Sequence, residues 1–167
     1  NGAAMIQVST DYVFDGTAHT PYTEDCDPCP DSVYGTTKLE GEYDVMNYCE
    51  KAVVIRTAWL YSTFGNNFVK TMIRLGKERD SLGVVFDQIG TPTYANDLAR
   101  AIYTIINKGI VRGIYHSAMK RFVPGMIHSG YSSLGRNNLL QSETSALQPN
   151  ILQRPTVRHT LYLIKQK

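Results

Sequence analysis

The run AVVIRTAWLY, Ala52 to Tyr61, constrains the fold more than any other stretch of the chain. It is β-branched and apolar with no helical period, which predicts a strand buried on both faces. A strand covered on both sides belongs to a parallel sheet with helices above and below it. The shorter run AAMIQVS, Ala3 to Ser9, reads the same way. Helical patterns lie between and after these runs. One helix is predicted from Tyr34 to about Tyr48, capped by Asp31 or Ser32. A second, over Asn66 to Asp80, carries Phe68, Met72 and Leu75 at helical spacing. A third places Ala95, Leu98, Ala99, Ile102, Ile105 and Ile106 on one face and stops at Gly109. GVVF (83–86) and GIYH (Gly113 to His116) complete the set as short strands, while Asp15 to Asp31 has the Gly, Pro, Asp and Thr content of a loop. Strands alternating with helices predict an α/β fold around a parallel sheet.

Composition narrows the function. A formal charge of +2 over 167 residues argues against nucleic acid or an anionic membrane as partner. No apolar run approaches the roughly 20 residues of a membrane span. The first residues, NGAAMIQVST, lack the basic and apolar regions of a secretory signal and begin without Met. They read as a chain entered part-way through, in the cytoplasm. Three cysteines, Cys26, Cys29 and Cys49, are too few and too odd in number for a disulfide framework. CDPC has C-x-x-C spacing, but no second pair follows to complete a zinc site. Pro28 and Pro30 place it in a loop. It is read as loop cysteines, with metal binding the lesser alternative.

The chemistry centres on SVYGTTKLEGE, Ser32 to Glu42. On a helix, Tyr34 and Lys38 stand one above the other on one face. A free phenol ionises near pH ~10. A cation beside it favours the phenolate, so such a pair can move a proton at neutral pH. The plainer alternative is a packed tyrosine and a solvated lysine. The first strand ends in STDYVFDGT, and ligands of open α/β sheets bind at the carboxyl ends of strands. A hydroxyl there can share a carbonyl oxygen with the phenol. Thr10 is placed for that, with Ser9 a weaker candidate; a capping or turn hydroxyl is an equal reading of Thr10.

The stretches VSTDYVFDGT, PYTEDCDPCPDSVYGTTKLEGE, the long run from VIRTAWLY through FGNNFVKTM and DQIGTPT to NDLARAI, and GIYH follow one another in order. From Asn1 to about His116 the chain resembles the dTDP-4-dehydrorhamnose reductases, extended short-chain dehydrogenases/reductases. The resemblance implies a Rossmann-like sheet with a smaller sugar-nucleotide domain. It implies reduction of the 4-keto group of dTDP-4-dehydro-6-deoxy-L-mannose to dTDP-L-rhamnose by NADPH or NADH, with Mg2+ a further family expectation. Tyr34 would give the proton to the keto oxygen, Lys38 would favour the phenolate and hold the nicotinamide ribose, and Thr10 would hydrogen-bond the carbonyl oxygen. Asp11, Tyr12, Trp59, Asn66 and Asn67 would meet the sugar nucleotide, although a lone tryptophan is by default core. DQIGTPT would be a positioning loop. A homodimer is implied for the parent protein.

Other nucleotide-sugar epimerases, dehydratases and reductases share Tyr-x-x-x-Lys, but FGNNFVKTM and DQIGTPT favour the rhamnose reductases. The non-catalytic regulatory subunit of methionine adenosyltransferase also resembles this family; that branch tends to lose the Thr-Asp pair that is intact here as Thr10-Asp11. The sequence departs from the family at both ends. No glycine-rich turn for a cofactor pyrophosphate precedes Asn1, so the chain is expected to be N-terminally truncated, with the dinucleotide-binding half missing and activity weak or lost. Residues 1–116 are read as the catalytic part with part of the sugar-nucleotide domain. From Ser117 the hydrophobic period stops. One choice of synonymous codons for SAMKRFVPGMI and TVRHTLYLIKQK, read in one alternative frame, gives the family-like SNEAFCSWYD and RPPYSVFDKTK; the alternative is a genuine divergent C-terminus. A frameshift near His116 is therefore expected, leaving 117–167 a disordered or non-native tail.

Overall fold

The computed structural model describes residues 2–79 and 91–118, and the backbone of 88–89 and 164–165. Its centre is a three-stranded parallel sheet of β1 (Met5–Thr10), β2 (Ala52–Thr57) and β6 (Gly113–His116), in the order β1-β2-β6. The register sets Ser9 beside Arg56 and Arg56 beside His116, so one row crosses all three strands near their carboxyl ends. Between the central strands lie α1 (Val33–Tyr48), β3 (Leu60–Tyr61), α2 (Phe68–Glu78), β4 (Gln88–Ile89), β5 (Thr93–Tyr94) and α3 (Ala95–Lys108). β3 pairs with β5 in parallel, and β4 pairs with β7 (Ile164–Lys165) in antiparallel fashion.

β2 is buried at every position, as its β-branched run predicts. Its side chains alternate between two cores, because successive residues of a strand face opposite ways. Ala52 and Val54 pack with Val45 of α1, and Val53 and Ile55 pack with Leu98 of α3. Helices thus cover both faces. A third cluster of Val13, Phe14, Tyr22, Leu39 and Ala58 sits beyond the strand ends, with Trp59 against it.

The structure corrects two expectations. β1 is not buried on both faces: Met5 is 44% and Val8 37% exposed, because β1 is an outer strand of the described sheet. The predicted strand Ala52 to Tyr61 is two strands. Trp59 takes φ 45°, in the left-handed region that a non-glycine residue seldom occupies, and this turns the chain out of the central sheet. The three predicted helices form, with Ser32 as the cap of α1: its side chain accepts from the Gly35 N–H at 3.1 Å. Gly109 follows α3 at φ 96°. The predicted strand GVVF lies outside the described residues, as does the tail after Ala118 apart from the β7 backbone. No helix among the described residues is long and apolar enough to cross a membrane.

Candidate active site

The end of β1 and the start of α1 meet closely. Thr10 caps a short 3-10 turn, Asp11–Val13; its hydroxyl accepts from the Tyr12 N–H at 3.2 Å and donates to Asp11 Oδ1 at 2.9 Å. Thr10 is therefore a capping hydroxyl, buried to 6% exposure at a strand's carboxyl end. α1 comes down onto this turn because position 35 is glycine. A Cβ there would lie 2.1 Å from the Tyr12 carbonyl oxygen and 2.9 Å from Pro30 Cβ. The contact brings the Tyr34 ring edge-on to Tyr12, with centroids 5.7 Å apart. Tyr34 is 55% exposed, so its phenol is open to a ligand. One turn on, Lys38 Nζ donates to the Val8 carbonyl oxygen at 2.7 Å. Thr10, Asp11, Tyr12, Tyr34 and Lys38 thus form one group at the end of β1.

The remaining predicted residues gather around the end of β2. Trp59 is half-buried in its left-handed backbone position, 6.5 Å from the ring of Phe68. Asn67 caps α2: its Oδ1 accepts from the Lys70 N–H at 3.0 Å, and its Nδ2 donates to the Ser62 carbonyl oxygen at 2.7 Å. Both ends of this amide have structural work. Asn66 beside it is exposed. Cys26 and Cys29 lie in the loop before α1, where Cys26 Sγ accepts from the Thr23 N–H at 3.3 Å.

Behind the first group runs a buried polar row that sequence reasoning did not find. Glu42 of α1, 1% exposed, accepts from Arg56 Nε at 3.1 Å and from Arg56 Nη2 at 2.7 Å, and it also accepts from the Ser9 hydroxyl. His116 completes the row, 1% exposed and edge-on to Phe14, whose ring also lies 5.1 Å from the Arg56 guanidinium carbon. Burial pushes the His116 imidazole down to about 4; Glu24 opposes this and Arg56 adds to it. The nearby Tyr22 backbone favours the charged form, yet neither ring nitrogen meets hydrogen-bond geometry with any partner among the described residues. In the following loop, Asp15 is held below the ordinary carboxylate range by the Thr17 N–H and then by the Tyr22 hydroxyl at 2.8 Å. The early signal for the row is one charge, Arg56, set within the apolar run AVVIRTAWLY; nothing around Glu42 in KLEGEYD marks it as buried.

The arrangement suits proton transfer to an oxygen held beyond the strand ends: an accessible phenol, an ammonium fixed one turn away, and a buried hydroxyl at the facing strand end. The phenol and ammonium also have the donor chemistry to meet ribose hydroxyls. Among the described residues no three His, Cys, Asp or Glu side chains gather as a metal site, so the Mg2+ implied by the resemblance has no donor set there.

Residues 1–125 match the family model for the RmlD substrate binding domain. The chain belongs to this family. It is 48% identical over 121 residues to a dTDP-4-dehydrorhamnose reductase of Aggregatibacter actinomycetemcomitans, covering 70% of this chain and 41% of that protein. The crystal structure of a dTDP-4-dehydrorhamnose reductase from Clostridium acetobutylicum matches with TM-score 0.69 and 52% identity, over 72% of this chain and 42% of that one. A Bacillus anthracis dTDP-4-dehydrorhamnose reductase in complex with NADP matches with TM-score 0.68 and 47% identity, over 72% and 43%. This RmlD-family chain therefore spans about two fifths of the length of the relatives it matches.

Proposed function

We propose that this chain carries the proton-donating part of an NAD(P)H-dependent reductase acting on the 4-keto group of dTDP-4-dehydro-6-deoxy-L-mannose. The observation that carries the reading is the approach of α1 to the end of β1, with Lys38 Nζ on the Val8 carbonyl and the Tyr34 ring against Tyr12. Tyr34 delivers a proton to the keto oxygen. Lys38 stabilises the phenolate that remains and meets the nicotinamide ribose. Thr10, reached once its hydroxyl turns from Asp11, supports the charge that develops on the oxygen. Asp11, Tyr12, Trp59, Asn66 and Asn67 line the sugar nucleotide, Asn67 chiefly by holding the start of α2. NADPH or NADH supplies the hydride when bound. The family membership and the NADP complex of a 47% identical relative support this reading. A cytoplasmic location, a homodimeric parent and the division at residue 116 belong to the same reading and rest on the resemblance.

The test is NADPH oxidation on addition of dTDP-4-dehydro-6-deoxy-L-mannose, with dTDP-4-dehydro-6-deoxy-D-glucose as the comparison. It is run on the chain alone and on the chain joined behind the glycine-rich nucleotide-binding segment of a solved relative. Faster oxidation with the L-manno sugar in the joined protein supports the reading. Equal rates with and without sugar in both proteins defeat it.

A further inference from the structure

We propose that Glu42 is a positioning residue, which with Arg56 and Ser9 locks α1 in the one register that brings Tyr34 and Lys38 to the end of β1. The proposal rests on the reading that these two residues form the proton-donating pair.

The buried stripe of α1 is Gly35, Leu39, Glu42 and Val45. Gly35 sets how closely α1 approaches the 3-10 turn, while Leu39 and Val45 make contacts without direction, which allow a helix to rotate by a fraction of a turn. Glu42 does not. Its carboxylate takes two nitrogens of Arg56 and the hydroxyl of Ser9 at once. Those donors come from two neighbouring strands, and Ser9 and Arg56 are register partners in the sheet. Satisfying both fixes the rotation of α1 about its axis and its height above the sheet. Lys38 lies one turn before Glu42 and Tyr34 one turn earlier again, on the same side of the helix. Ser9 immediately precedes Thr10 and follows Val8, whose carbonyl receives Lys38. One carboxylate therefore ties the helix that carries the phenol and the ammonium to the strand end they must face.

A buried ion pair is a poor device for stability alone. Apolar side chains of similar volume often serve as well or better, because the charges lose their hydration. What an apolar pair does not supply is direction. That difference makes the role testable. The double variant Glu42→Leu/Arg56→Met removes both charges together and leaves none buried without a partner.

The experiment uses the full 167-residue chain labelled with 15N-lysine and 13C-tyrosine. Two signals report the register: a slowly exchanging Lys38 ammonium bonded to Val8, and a nuclear Overhauser contact between the Tyr12 and Tyr34 rings. In the double variant both are expected to vanish while the chain still melts cooperatively. In a joined protein that turns over, kcat falls by about tenfold or more with KM within about threefold, as misplacement of reacting groups requires. Survival of both signals in the folded double variant overturns the proposal. If that variant does not fold, Ser9→Ala decides: loss or broadening of both signals supports the proposal, and an unchanged pair of signals overturns it. A joined protein with both signals but no turnover defeats the reductase reading and leaves the positioning role to be judged by the signals alone.

Discussion

Two glycines on α1 predict opposite responses to the same substitution. At Gly35 an added Cβ meets the Tyr12 carbonyl oxygen at 2.1 Å, where real contacts essentially never fall below 3.0 Å. The helix must retreat by about 0.9 Å, and the obstacles are backbone and a proline ring, which cannot swing away. Overpacking of this kind costs about 1–3 kcal/mol, and rigid obstacles put it in the upper half. Alanine returns about 1 kcal/mol of helix propensity. Gly35→Ala should therefore lose about 1 kcal/mol or more, lowering the melting temperature by about 3 °C or more. The retreat also carries Tyr34 away from Tyr12 and the 3-10 turn, and a misplacement near 1 Å can cost about 10²-fold in rate. At Gly41 the nearest atom is Gln7 Nε2 at 2.9 Å, the far end of a flexible side chain. Gly41→Ala should keep most of the propensity gain and raise the melting temperature by about 2–3 °C. Thermal unfolding of the two variants, with NADPH oxidation by the joined protein, makes the comparison. If Gly35→Ala stabilises as much as Gly41→Ala and leaves turnover unchanged, the close approach of α1 to the 3-10 turn is not what places Tyr34.

Other outcomes follow from the same geometry. Because burial depresses His116 to about 4, its contribution to stability is fully present above pH ~6.5 and is lost as pH falls through 4. Urea unfolding should show the wild type losing about 3 kcal/mol more than His116→Phe across that window; parallel curves would mean that the imidazole is already charged, or hydrated, among Arg56, Glu42, Glu24 and Tyr22. Ser32→Ala removes the acceptor for the Gly35 N–H and should cost about 1 kcal/mol, read as a lower urea midpoint. The chain alone should bind NADPH weakly, since no glycine-rich pyrophosphate turn occurs in its sequence; calorimetry giving micromolar affinity would contradict this.

The sequence is most legible where apolar period and burial coincide. β2 packs as its pattern predicts, α3 does so through Leu98, Ile102 and Ile105 but leaves Ala99 and Ile106 of its predicted face exposed, and Ser32 and Gly109 stand at the helix ends they mark. α1 is located correctly, yet its buried face could not be read from hydrophobicity, because two of its four buried residues are Gly35 and Glu42. Each is there for a reason that needs the fold: a backbone approach in one case, a cross-strand charge in the other. The outer position of β1 depends on sheet order, which a single strand's composition does not encode. The break at Trp59 depends on a left-handed backbone that nothing in WLYS announces. Ser9, Arg56 and His116 look like scattered polar residues until the register sets them in one row. The capping roles of Thr10 and Asn67 were only partly legible, since a hydroxyl or an amide at an element boundary suits a cap and a ligand equally well.

The central claim is that Tyr34 gives the proton. Its direct test is the single-turnover rate of Tyr34→Phe in the joined protein, with NADPH and dTDP-4-dehydro-6-deoxy-L-mannose both bound. The substitution keeps the ring and its edge contact with Tyr12, and at 55% exposure it should leave the melting temperature within about a degree. The rate should fall by about 10²-fold or more, the scale of a lost general acid. A rate within a few-fold of the parent, in a protein that melts like the parent, would contradict the account.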